Sequence, residues 1–468
     1  MYKDDFSTEH PASSADLQNT SDRDGFASDL SNIDEIAYNP HHIRRRSFAS
    51  NLSDTDEIGL ESIEEADPIS SLKKRFDFDE VVDRKNSDSV KYGAGAPSGK
   101  TENLLPLWVA DMDFRVPDPV IDALSQRVQH GIFGYGAADE KYYDAVCRWF
   151  DTHFHANIDP RWIVRTPGVV FALSAALRAF TSEGDAVLIN RPVYYPFSRL
   201  IDGLGRKLVN SPLKLNGTRY EIDFADFEQK IVENDVKLYI LCSPHNPVGR
   251  VWTKEELTNL ADICLEHDVL IVSDEIHCDF VWSEHPHTMF TTLGEEYLGR
   301  CMVCTAPSKT FNLAGLNASN IIIPDRTLRK KFRICIENTG ASSTNVMGFT
   351  ACRAAYEEGL PWLTELKAYL SENIRFIDSY LSENIPQVRL IRPEGTYLLW
   401  LDMRDLGLSE EELEHLMTDA AGLWLDGGGM FGPEGVGFQR LNAACPRSVL
   451  EKAMHQLREA VLSLSPQR

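Results

Sequence analysis

The stretch VLIVSDEIH, residues 269–277, runs through four apolar residues and a serine into Asp274, Glu275 and, one isoleucine later, His277. A run that is apolar at every position, rather than at every second one, predicts a strand buried on both faces, as in a parallel sheet covered by helices. Runs of the same kind recur as DAVLIN (185–190), KLYILC (237–242), RCMVCTA (300–306) and NIIIP (320–324). Each is followed by turn or polar residues, and helix-length patterned segments such as KEELTNLADICLEHD (254–268) separate several of them. The pattern predicts an α/β fold, a mainly parallel sheet flanked by helices, with ligand chemistry at the carboxyl ends of the strands.

Four segments stand at those ends in order: TPGVVFAL from 166, SPHNPVG from 243, SDEIH from 273 and APSK from 306. Lys309 follows the apolar run RCMVC and lies among small and hydroxyl residues, whereas most lysines face water from helix surfaces; this placement assigns it the part of a nucleophile. Asp274 closes its strand where a buried carboxylate is costly unless it meets a cation, and a pyridinium is such a cation. Spacing alone leaves open a carboxylate that merely caps the next helix. Taken together, the strand ends ask for an aldehyde cofactor. Such a group needs an amine for a Schiff base, a carboxylate to keep a pyridine nitrogen protonated, and an anion site for a phosphate.

The rest of the chain narrows the function classes. Its 468 residues suffice for two or three domains, and 43% hydrophobic with 10% aromatic content is ordinary for a globular enzyme. A formal charge of -24 with no long basic stripe excludes nucleic acid as the expected partner. With neither an apolar leader nor a membrane-length apolar run, the expectation is a soluble, cytoplasmic protein. Nine cysteines without framework spacing fit reduced thiols, and the CxxC pair Cys301 and Cys304 has no second pair beside it, so no metal site is expected.

Residues 1–75 are rich in Ser, Asp and Asn and poor in large apolar residues, which predicts a disordered acidic tail. Within it FASDLSNIDEIA (from Phe26) recurs as FASNLSDTDEIG (from Phe48), a duplicated short motif. Between the copies, RRRS places three arginines before Ser47, either a kinase site and docking element or a solvated charge patch, the second being the plainer reading. Residues 123–358 are expected to form a large domain. Residues 76–122 and 359–468, with the amphipathic WLTELKAYLSENIRFIDSYL (362–381) and the strand-like TYLLWLDM (396–403), are expected to form a smaller α+β domain.

The segments FDFDEVVDRKNSDSVKY, LPLWVADMDF, GIFGYG, TPGVVFALSAAL, NRPVYYPF, SPHNPVGRVW, SDEIHCDFVW, APSKTFNLAGLNASN, PEGTYLLWLDM and FQRLNAACPR follow one another from residue 76 onward. In this order the sequence resembles the fold-type I pyridoxal phosphate enzymes, and within the class I/II aminotransferases the MalY/PatB group of cystathionine β-lyases. The resemblance implies pyridoxal 5'-phosphate held by Lys309 as a Schiff base, with Asp274 at the pyridine nitrogen, Asn246 and His277 at the phenolic oxygen, and Tyr194 stacked on the ring. It also implies that the backbone amides of Val169 and Val170, opening a helix, hold the phosphate. Tyr135 would reach the phosphate of a neighbouring subunit in a homodimer, and Arg440 would clamp the carboxylate of an amino-acid substrate. Two positions depart from the aminotransferase pattern: Ala306 stands where many have a phosphate-binding serine, and Asn317 where many have an arginine. The phosphate site is thereby less cationic, and Ser308 is a candidate to add a hydroxyl.

The glycine-rich DGGGMFGPEGVGF from 426 lacks the spacing and strand-to-helix context of a nucleotide loop; it reads as a mobile loop near the substrate, with Met430 and Phe431 lining the pocket. The reaction implied is cleavage of cystathionine or a related cysteine S-conjugate to a thiol, pyruvate and ammonia. An aminotransferase shares the first proton removal and is the near alternative; a protein of this fold acting mainly as a regulator through its tail is the other.

Overall fold

The computed structural model describes residues 76–85, 87–93, 104–282, 284–341 and 345–464. The tail 1–75, its duplicated motif and Ser47 lie outside the described residues. A seven-stranded sheet runs, in spatial order, through Ile163–Thr166, Ser319–Ile322, Cys301–Thr305, Leu270–Asp274, Val236–Cys242, Ala186–Ile189 and Lys207–Asn210. The last five in that order are mutually parallel, so their carboxyl ends share one edge.

One apolar run departs from the parallel pattern. Ser319–Ile322 is antiparallel to both neighbours, because the chain turns back after Thr305 through the short helix Pro307–Thr310 instead of crossing over a full helix. It is buried all the same, since both faces are covered. Alternate residues feed two cores: Leu238, Ile240, Val272, Met302 and Ile321 pack with the helices Val169–Phe180 and Arg326–Asn338, whereas Tyr239, Leu241, Ile271, Val303 and Ile322 pack into the core on the other face. The runs that are apolar throughout are therefore strands buried on both faces, whatever their direction. Cys301 and Cys304 lie on opposite faces of one strand, and all nine cysteines are free.

A second sheet, ordered Arg389–Ile391, Leu398–Asp402, Phe438–Asn442 and Asp426–Gly427, is antiparallel. The helix Leu360–Asn384 buries Trp362, Leu363, Leu366, Leu370, Asn373, Ile377 and Leu381 at three- and four-residue spacing, which is one helical stripe. Leu105–Pro106 pairs in parallel with Leu423–Trp424 and delivers the segment 107–114 over the carboxyl edge of the large sheet.

A buried ion cluster joins the second sheet to the loop after Cys242. Glu394 accepts from Arg250 Nε at 2.7 Å, Arg219 Nε at 3.0 Å and the Val251 N–H at 3.0 Å, while Arg250 is 2% exposed. Burial favours the neutral acid, yet the two guanidiniums hold the Glu394 carboxyl below its ordinary pKa. Glu394→Gln leaves Arg250 on Glu256, to which its Nη2 donates at 2.8 and 2.9 Å, and weakens one charged hydrogen bond; it is expected to cost about 2 kcal/mol, read as a lower midpoint in thermal or denaturant unfolding.

Candidate active site

Each predicted site segment arrives at the shared edge because its strand ends there. Leu270–Asp274 ends on Asp274 itself, Cys301–Thr305 leads after one residue into the turn carrying Ser308 and Lys309, Val236–Cys242 leads to Asn246, and Ile163–Thr166 leads to the helix opened by Val169. Arg440 comes from the other sheet, in the middle of Phe438–Asn442.

Lys309 Nζ donates to the Ala110 carbonyl at 3.1 Å. The residue is half-buried, and burial of the amine pushes its pKa down to about 8, with the Arg440 charge acting in the same sense and Asp111 and Asp274 opposing. Asp274 is 5% exposed; burial pushes its pKa up to about 7, against the Ile276 N–H, which donates to Oδ1 at 3.2 Å, and the Lys309 charge. His277 is buried three residues on, and burial, followed by the charges of Lys309 and Arg440, holds it well below its ordinary value, so the ring is neutral. Its Nδ1 finds no partner among the described residues.

Arg440 is 2% exposed and makes a fan of contacts. Nη1 donates to Asn246 Oδ1 at 3.2 Å, Nη2 to the Trp108 carbonyl at 2.8 Å and to Asp426 Oδ2, and the guanidinium lies 4.9 Å above the Phe431 ring. Tyr194 is partly buried close enough to feel both Arg440 and Asp274, and burial raises its hydroxyl pKa. The structure thus brings Lys309, Asp274, His277, Asn246, Tyr194 and Arg440 to one place. Val169 and Val170 open the helix Val169–Phe180 at the same edge; Gly168 before them has no side chain to cap it, so these backbone N–H groups stay open. Ser308 is half-buried and Tyr135 fully exposed. Asn317 occupies a left-handed turn, φ 50°, closing the short helix Ala314–Leu316.

The glycine-rich segment differs from the expected mobile loop. Residues 428–431 and 433–435 form two short 3-10 turns so close that a Cβ on Gly428 would stand 1.9 Å from the Gly435 carbonyl oxygen. Phe431 is 1% exposed beneath Arg440, whereas Met430 is 43% exposed and outside. Close backbone approach, rather than freedom, explains the glycines.

Other residues of the site were not singled out from the sequence. The segment 107–114 is held by its carbonyls: Asn442 Nδ2 donates to Val109 O at 2.6 Å and Asp111 O at 2.7 Å, Tyr397 Oη to Ala110 O at 2.8 Å, and Asn312 Nδ2 to Met112 O and Phe114 O at 3.0 Å. Thr310, beside Lys309, donates to Asp279 Oδ2 at 2.6 Å, tying the lysine's turn to the segment that carries His277. Glu275, next to Asp274, faces away and accepts from Ser273 Oγ, His287 Nε2 and the Phe290 N–H at 2.8–3.0 Å. The motifs LPLWVADMDF, APSKTFNLAGLNASN, PEGTYLLWLDM and FQRLNAACPR contain the residues of the first group, but not which of them meet.

The Asp274 carboxyl binds its proton more tightly in the fold than in the unfolded chain, about 7 against 3.8. Its contribution to stability is therefore full below about 4 and lost as pH rises through about 7. In the ligand-free protein, melting of the wild type relative to Asp274→Asn should fall across that window. A flat difference would mean that the carboxylate is solvated.

An aminotransferase class I and II profile matches residues 102–457, and the chain belongs to that family. It is 43% identical over 384 residues to cystathionine beta-lyase PatB of Bacillus subtilis (strain 168), spanning 82% of this chain and 99% of that protein. Protein MalY of Escherichia coli (strain K12) is 35% identical over 388 residues, again 82% and 99%. Among solved structures, a PLP-bound putative aminotransferase from Clostridium difficile 630 superposes with a TM-score of 0.81 at 40% identity, covering 82% of this chain and 100% of that one. The mostly parallel sheet with flanking helices is the fold-type I architecture.

Proposed function

We propose that the protein is a pyridoxal phosphate-dependent carbon–sulfur β-lyase that cleaves cystathionine or a related cysteine S-conjugate to a thiol, pyruvate and ammonia. The observation that carries the cofactor is a set of groups converging on one place: a buried carboxylate with no ion pair in contact among the described residues, a buried imidazole nitrogen without a partner among them, a depressed lysine amine and an uncapped helix start. These fit a ring with a basic nitrogen, an aldehyde and a phosphate. The lyase chemistry is supported by the likeness to PatB, named a cystathionine beta-lyase.

When bound, the cofactor supplies an aldehyde for amines and an electron-withdrawing ring. Lys309 holds it and, once its amine is free, removes the substrate Cα proton; a pKa near 8 leaves part of the amine unprotonated at neutral pH. Asp274, in a buried setting, keeps a proton on the ring nitrogen. Asn246, the neutral His277 and Tyr194 would hold the ring, and the Val169 and Val170 amides with the Ser308 hydroxyl would hold the phosphate. Arg440 orients the substrate through its α-carboxylate.

The structure's exposed apolar run around Tyr135, with Ile132 and Phe133 also exposed, supports a homodimer in which Tyr135 completes a neighbour's site. No helix among the described residues is long and apolar enough to cross a membrane.

The deciding experiment supplies purified holoenzyme with cystathionine and no keto acid, following pyruvate and free thiol together. Equal, sustained release of both is expected. A single bleaching of the cofactor's visible absorbance, reversed by a keto acid and without pyruvate, would make the protein an aminotransferase instead.

A further inference from the structure

Cystathionine carries two carboxylates, about 9 Å apart when extended, seven bonds at the backbone's 3.8 Å for every three. One guanidinium cannot hold both. Asp426 lies opposite Arg440 on the paired strand and accepts from its Nη2, and both side chains are 3% exposed, so that pair carries no surplus charge. Lys309 is committed to the cofactor in the reading above. The next cation lies along a row of aromatic rings. The Arg440 guanidinium stands 4.9 Å from the centre of the Phe431 ring, Tyr195 packs edge-on against Phe431 at 5.9 Å, and the Arg199 guanidinium stands 4.5 Å over Tyr195. These three contacts keep the two guanidiniums within about 15 Å of one another. Burial raises the Tyr195 hydroxyl pKa, with Asp426 acting in the same sense and Arg440 and Arg199 both opposing, so this ring lies in the field of both cations.

Resting on the lyase reading and on Arg440 as the site of the α-carboxylate, we propose that Arg199 is a specificity-determining residue that binds the distal carboxylate of the substrate, the one carried by the leaving thiol. Tyr195 and Arg199 are four residues apart at the start of the helix Pro196–Gly203, the spacing that stacks side chains on one helical face. Arg199 is exposed and makes no ion pair among the described residues, so no acid has to be displaced from it. Arg191, the other guanidinium beside this helix, donates to Ser198 Oγ at 2.9 Å. Stacking on Tyr195 restricts a long side chain, and a guanidinium in that position keeps N–H groups for a carboxylate. A guanidinium–carboxylate contact adds about 4 Å at each end. A molecule 9 Å long therefore reaches across the gap between the two arginines.

The test sets cystathionine against S-(3-aminopropyl)cysteine, the same molecule without its distal carboxylate, on the holoenzyme. Arg199→Gln should raise KM for cystathionine about five- to tenfold with kcat nearly unmoved, and should shift KM for the second substrate less than about twofold. Arg199→Lys should recover most of the loss, and Arg199→Glu should exceed it. Suberate and octanoate have equal length, two carboxylates and one, and no amine to react, so calorimetry repeats the comparison without turnover. Arg199→Gln should weaken suberate by a similar factor and octanoate hardly at all. Equal effects on both members of each pair, or none, would overturn the proposal and leave Arg199 on Tyr195 as a solvated surface pair. Pyruvate from both substrates with no dependence on Arg199 would overturn this inference alone. Pyruvate from neither, with the suberate loss intact, would sink the lyase reading and keep the two-carboxylate site.

Discussion

Lys309→Ala is expected to lower turnover of cystathionine by at least about 10⁴-fold, because the variant loses the amine proposed both to hold the cofactor and to remove the Cα proton. Lys309 is the cation set against Asp274 at this edge of the sheet, and its turn is fixed by Thr310 on Asp279. Borohydride treatment of the wild-type holoenzyme should add a stable mass to the peptide containing Lys309, and none should appear in the variant. Small primary amines should restore part of the lost rate. Full activity in Lys309→Ala, or a mass on a different lysine, would remove the residue from the centre of the reaction.

Asp274→Asn is expected to lower kcat about 10²–10³-fold, the scale for deleting one preorganised charge from a site that excludes water. The substitution is nearly isosteric, and the Ile276 N–H can still donate to the amide oxygen that replaces Oδ1. An amide presents no negative charge to a ring nitrogen. Substrate capture should change far less, since Arg440, the proposed carboxylate clamp, comes from the other sheet and meets Asn246, not Asp274. The expected result is therefore a fall in kcat with KM nearly unmoved. A rise in KM with kcat intact would mean that Asp274 serves binding and that its elevated pKa has no part in the chemistry.

The two residues also show how the molecule was legible before its fold was known. Both stand where an apolar run ends, and a parallel sheet places such ends along one edge, so sequence order alone brought Asp274, Lys309, Asn246 and the helix at Val169 towards a common site. Local pattern suffices there, because the strand fixes its own terminus. Arg440 was found through the motif around it and not from any periodicity. The direction of Ser319–Ile322 was not legible, since a buried antiparallel strand and a buried parallel one have the same apolar composition.

By itself, then, the sequence determined the alternation of buried strands and helices, the chemical kinds of residue at the strand ends, and the order in which they occur. Only the tertiary structure decided what those residues meet. It set Asp426 on Arg440, folded 428–435 into a tight knot of glycines, and hung the segment 107–114 by its carbonyls from Asn442, Tyr397, Asn312 and Lys309. The contacts of the segment 107–114 join residues some two to three hundred positions apart. Burial, hydrogen-bond geometry and the resulting pKa shifts depend on separations in space, which periodicity along the chain does not encode.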